Sequence, residues 1–75
     1  MTEIRVGALG RIQAGDEMGR VLEVVDDKAR TGGYLIFTYA DADRSPEVFD
    51  SWVESLEDVE KYFAESRWEI DWLDN

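Results

Sequence analysis

Gly33-Tyr34-Leu35-Ile36-Phe37-Thr38-Tyr39 is the stretch on which the fold turns. Aromatic and β-branched residues dominate it, both alternating faces are apolar, and glycine opens it. A strand that is apolar on both sides is covered on both sides, so residues 34–39 read as an interior strand of a sheet. Upstream, residues 26–33 are polar and glycine-containing, which marks a turn. Before that turn, residues 20–26 place Leu22 and Val24 on one face and Val21 and Val25 on the other. Further toward the N-terminus, residues 14–19 form a turn bracketed by Gly15 and Gly19. Residues 4–9 are expected as the first strand, with Gly10 as a bend or bulge and residues 11–13 as a continuation.

Downstream, residues 40–46 are polar, and Pro46 excludes an ordinary interior strand or helix position. Residues 47–54 fit either a helix begun at Pro46 or a strand. Val48, Phe49, Trp52 and Val53 favour the strand, with Phe49 and Val53 on one face and Val48 and Trp52 on the other. Ser55 is the better helix start: it supplies an N-cap hydroxyl, and Glu57 and Asp58 follow where the helix dipole favours anions. Leu56, Val59 and Phe63, widened by Tyr62, form an apolar stripe on a helix over 55–66. In Trp68-Glu69-Ile70-Asp71-Trp72 large apolar residues then alternate with acids, as in a half-buried strand. The order β-β-β-β-α-β predicts an α+β fold: an antiparallel sheet of four to five strands with one helix packed on one face. One short helix cannot cover both faces of such a sheet. The apolar second face therefore implies either a sheet curled into a half-barrel or contact with another chain.

The chain has 75 residues, enough for a single domain over 1–75. Cysteine and histidine are both absent. Disulfides, thiolate zinc sites, thiol catalysis and imidazole general bases are thereby excluded, and no cofactor is expected. Nine aromatic residues (three Trp, three Tyr, three Phe) are left to stabilise a small core. The N-terminus lacks the basic start and apolar run of a signal peptide, and no stretch approaches the roughly 20 apolar residues of a membrane span. A cytoplasmic protein without membrane contact is expected.

Formal net charge is −10, from 18 acidic and 8 basic residues. Residues 39–75 hold twelve of the acids and only three of the bases. Such a field repels phosphate backbones and attracts cations, so direct nucleic-acid binding is not expected and a basic protein partner is. Three groupings carry candidate chemistry. Asp41, Asp43, Glu47 and Asp50 surround Pro46 and could act as paired carboxylates or hold a hard cation, but their spacing lacks the glycine-centred order of a calcium loop, and no metal site is expected. On a strand, Asp50, Trp52 and Glu54 share a face and set an indole between two carboxylates. With Asp41, Asp43 and Glu47 they form the candidate partner-binding set, aromatic anchor and acidic rim together. The Trp68/Ile70/Trp72 face reads as core.

Two resemblances accompany this reading. The segment from Ala14-Gly15-Asp16 to Gly19-Arg20-Val21-Leu22 resembles the glycine-punctuated hairpin of KOW-type, SH3-like modules of ribosome- and transcription-associated proteins. That implies an RNA contact for which the balanced charge of this half supplies no basic face. Thr31-Gly32-Gly33-Tyr34-Leu35-Ile36, Phe49-Asp50-Ser51-Trp52-Val53, Tyr62-Phe63 and Trp68-Glu69-Ile70-Asp71-Trp72 together resemble small acidic bacterial proteins. This second likeness implies a bacterial source and brings no activity to any of these residues. In size and charge the chain is similar to immunity proteins and antitoxins that plug basic toxins. Three functions follow as expectations: a non-catalytic module that binds or inhibits a basic partner, as an immunity factor or nucleic-acid mimic; a structural homodimer joined through the second sheet face; and, as the minor alternative, a cation-dependent factor built on Asp41, Asp43, Glu47 and Asp50.

Overall fold

The computed structural model describes residues 4–40 and 48–73. Five strands, β1 (Leu9–Ala14), β2 (Val21–Asp27), β3 (Gly33–Tyr39), β4 (Val48–Val53) and β5 (Glu69–Trp72), form one antiparallel sheet in the order β4-β3-β2-β1-β5. Among the described residues a single helix, α1 (Leu56–Ser66), connects the two edge strands. The fold is α+β, and residues 48–53 are a strand. Among the described residues no helix is long and apolar enough to cross a membrane.

The β2–β3 hairpin is closed by local hydrogen bonding. Lys28 N donates to Asp26 Oδ1 at 3.0 Å, Thr31 N donates to the Asp27 carbonyl at 2.8 Å, and Gly32 takes a φ of +85° that other residues rarely adopt. Pairing then runs without interruption from Val21↔Tyr39 to Asp27↔Gly33, and β3 continues into β4 from Tyr34↔Val53 to Tyr39↔Val48. This register sends Leu22, Val24, Tyr34, Ile36 and Val53 to the helix side. Val21, Val25, Leu35, Phe37, Tyr39 and Trp52 go to the opposite face.

The N-terminal segment departs from expectation. Residues 4–8 are not a strand: Gly7 adopts a φ of +86°, which breaks extension, and only an isolated parallel bridge joins Val6 to Val24. The first strand instead begins at Leu9 and runs through Gly10, which is buried inside it and is not a bend. Gly10 is tolerated there because β5 lies across it. A Cβ at this position would meet Ile70 Cγ2 and come within 2.9 Å of the Trp72 ring, so those side chains fill the room it leaves. An extra residue, Gln13, shifts the β1–β5 register between Ile12 and Ala14.

Ser55 caps α1 as its position implies: its backbone is extended and its hydroxyl accepts from Asp58 N at 3.2 Å. At the other end Arg67 takes a left-handed conformation with φ 59°, and Trp68 N reaches back to the Phe63 carbonyl at 3.1 Å. The end of the helix is seated on the β1–β2 turn. Asp16 N donates to the Ser66 carbonyl at 2.9 Å, Trp68 Nε1 donates to the Asp16 carbonyl, and any side chain at Gly15 would strike the carbonyls of Ser66 and Arg67. Eleven helical residues rise about 16 Å. The two edge strands stand four spacings of about 4.8 Å apart. The helix thus has almost the reach needed to carry the chain from one edge to the other.

The core lies between α1 and the sheet. Val59 and Phe63 pack on Ile12, Leu22, Val24, Tyr34 and Ile36, with Trp68 sealing the end near β5. Phe63 meets Trp68 edge-on at 5.1 Å between centroids, and Tyr62 lies 5.4 Å from the same indole. Such pairs contribute about 0.5–1.5 kcal/mol beyond their buried area, which matters in a core of this size.

Candidate functional site

Helix α1 covers one face of the sheet, and no element of the described residues lies over the other. Three cross-strand rows are read from the register on that open face: Trp52–Leu35–Val25, then Asp50–Phe37–Glu23–Leu9, then Val48–Tyr39–Val21–Arg11. The middle row sets a carboxylate on each side of Phe37. In the third row Tyr39 and Val21 are buried. The Tyr39 hydroxyl donates to Glu23 Oε1 at 3.3 Å, and its ring stacks on Phe37 at 6.1 Å between centroids. The result is an apolar strip with Trp52 at one corner and acids within it.

Trp52 is 49% exposed, yet it is held in place. Its Nε1–H donates to Thr31 Oγ1 in the β2–β3 turn at 2.9 Å, while the Thr31 hydroxyl donates to the Asp27 carbonyl at 3.2 Å. The ring lies over Gly33, where a Cβ would approach it to 2.7 Å. The indole is therefore fixed by a hydrogen bond at its edge and a glycine beneath it, with its outer surface in water. Large, rigid, half-exposed aromatics of this kind are the usual anchors of protein interfaces, because little conformational entropy remains to be lost on binding.

Of the sequence-derived set, β4 brings Asp50 and Trp52 to the same face, both exposed. Glu54 follows the end of β4 and is exposed before the helix cap. Asp41, Asp43 and Glu47 lie outside the described residues. Among the described residues there is no group of three or more metal-ligating side chains. Sequence reasoning did not find Thr31, Gly33, Glu23, Phe37 and Tyr39 as members of the site. They lie 13 to 29 positions from Trp52 in the chain, and only strand pairing brings them together.

Phe49 projects to the helix side of β4 but is 63% exposed, because α1 does not extend over it. The Arg20 guanidinium lies 5.1 Å from the centre of its ring and also donates to the Thr38 carbonyl at 3.1 Å. Glu17, at the tip of the β1–β2 turn with φ 60°, pairs with Arg20 at 3.2 Å and accepts from the buried Thr38 hydroxyl at 2.9 Å. This clasp joins three strands at the end of the sheet away from Trp52. At the near end, Lys28 Nζ stands 5.2 Å from the centre of the Tyr34 ring. A hydrogen bond to Tyr34, with the fields of Tyr34 and Asp26 behind it, holds the Lys28 pKa above its usual 10.5.

No known family, curated protein or solved structure matches the chain. Its function must therefore be argued from its own surface.

Proposed function

We propose that this chain is a non-catalytic, acidic interaction module that docks a basic protein on its open sheet face, with Trp52 as the anchor. The observation that carries this reading is the half-exposed indole pinned by Thr31 at the corner of a sheet face over which no described element lies. Asp50 beside it would pair with a cationic residue of the partner. The net charge of −10 would draw that partner in. The same charge on two copies opposes self-association through this face, so a basic partner is favoured over a homodimer. Binding and blocking such a partner is the role of an immunity-type factor or a nucleic-acid mimic.

The test compares wild-type protein with the Trp52→Ala variant as immobilised baits, both shown to be folded by circular dichroism. Basic proteins retained by the wild type at about 50 mM salt should be released by about 0.5 M, as screening shortens the reach of the field. They should be missing from the variant. Retention by both baits alike, or retention indifferent to salt, would overturn the reading.

A further inference from the structure

Two aromatic rings of β4 stand in solvent, Phe49 at 63% exposed and Trp52 at 49%. They are three residues apart, so they point to opposite faces of the sheet. They also differ in what lies over them. The Arg20 guanidinium stands 5.1 Å from the centre of the Phe49 ring. Among the described residues no cation stands over Trp52, although an indole holds cations more strongly than a phenyl ring does. The one donor of that indole is already used, because Nε1–H is given to Thr31 Oγ1 at 2.9 Å. With Gly33 beneath the ring, what Trp52 offers a partner is its outer π face, which attracts positive charge. Two positions earlier on the same face, Asp50 is exposed, and among the described residues no base pairs with it.

We propose that this corner of the sheet receives one arginine side chain of the basic partner, its guanidinium stacked flat on Trp52 and its edge turned to the Asp50 carboxylate. The assignment rests on the docking role of this face and names the group that Trp52 takes. Spacing supplies the first argument. Residues i and i+2 of a strand are about 6.7 Å apart, so ring and carboxylate lie side by side and not one above the other. A guanidinium is planar and carries its N–H donors in its own plane. Laid on the ring, it aims those donors sideways, the direction in which Asp50 lies. An ammonium is a compact, strongly hydrated point charge. Over the ring it leaves the carboxylate out of reach, and beside the carboxylate it leaves the ring. Arginine is thereby selected over lysine. Charge and packing supply the second argument. A chain of net charge −10 repels an anionic group, and an apolar one would leave Asp50 unanswered. Leu35, opposite Trp52 on β3 and half-buried, gives the methylene stem of an arginine an apolar seat. The third argument is order: Thr31 already holds the ring, so little of it must be fixed on binding.

The probes are two capped tripeptides, arginine or lysine flanked by glycines, titrated at low salt into the whole ¹⁵N-labelled chain and followed by NMR. The arginine peptide should shift the Trp52 indole N–H and the Asp50 amide. The ring current should move the arginine methylene signals upfield. The lysine peptide should bind about fivefold more weakly. Asp50→Asn keeps the shape of the side chain and should lower arginine affinity by about the same factor, which makes the two peptides nearly equal. Trp52→Leu should abolish the upfield shift. Equal affinities for the wild type, a preference that survives Asp50→Asn, or shifts scattered over the acidic surface would overturn the arginine assignment. The bait experiment separates the two levels. If the peptides fail while the wild-type bait still retains basic proteins that Trp52→Ala loses, the docking role stands and the arginine assignment falls. If the baits fail as well, both fall.

Discussion

Trp52 and Thr31 are 21 positions apart and act as one unit. The threonine hydroxyl accepts from the indole and donates to the hairpin backbone, so the turn that closes β2 and β3 also sets the angle of the anchor. Replacing Thr31 with valine keeps the shape and removes both hydrogen bonds. A partly exposed hydrogen bond contributes at the low end of about 0.5–1.5 kcal/mol, because water can replace it. The variant should therefore lose no more than about 1 kcal/mol in urea denaturation. The clearer readout is the Trp52 indole N–H, whose hydrogen exchange should rise to the rate of a free indole. If that proton exchanges at the wild-type rate, the indole is held by something other than Thr31. Partner binding should weaken in the same variant, since a freed ring must be ordered again on docking.

At the level of elements, the close fit of β1 against β5 decides where the first strand lies. Gly10→Ala would push a methyl group into Ile70 and the Trp72 ring, and overpacking of this kind costs about 1–3 kcal/mol. The urea midpoint should fall accordingly, and β5, whose strand pairing among the described residues is with β1, should be the first strand to lose amide protection. An unchanged midpoint would mean that β5 moves aside without cost. The same position shows what the sequence could not convey. Gly10 reads as a bend as long as its partner is unknown, because the residues that fill its empty side come from about 60 positions later in the chain. Where the determinants are local, the reading held. Residues 34–39 form an interior strand, Ser55 caps α1, and Val48 and Trp52 share one face of β4, although which face of the sheet that is comes only from the register. The site was legible only along β4. Asp50 and Trp52 could be placed on one face from parity, but Leu35, Phe37 and Glu23 join them through a register that is set by the β2–β3 turn.

For the whole molecule the governing quantity is charge. The longest dimension is 29 Å, and the screening length is about 30 Å at 0.01 M salt, so at low ionic strength every carboxylate feels every other. At 0.15 M the length falls to about 8 Å, and only neighbours still interact. With a net charge of −10 the long-range sum is repulsive, and it acts more strongly on the folded chain, where the acids are held closer together. Adding sodium chloride should therefore raise the melting temperature, with most of the rise complete by about 0.15 M. Relief of about 1 kcal/mol corresponds to roughly 4–8 °C for a domain of this size. The same salt should weaken capture of a basic partner, so stability and binding should move in opposite directions along one titration. That opposition separates the reading from a simple solubility role, in which salt would stabilise the fold and there would be no binding to lose. A melting temperature that falls or stays flat between 0.01 and 0.15 M would mean that the acids are already neutralised by local contacts. The field invoked to steer a cationic partner would then not exist.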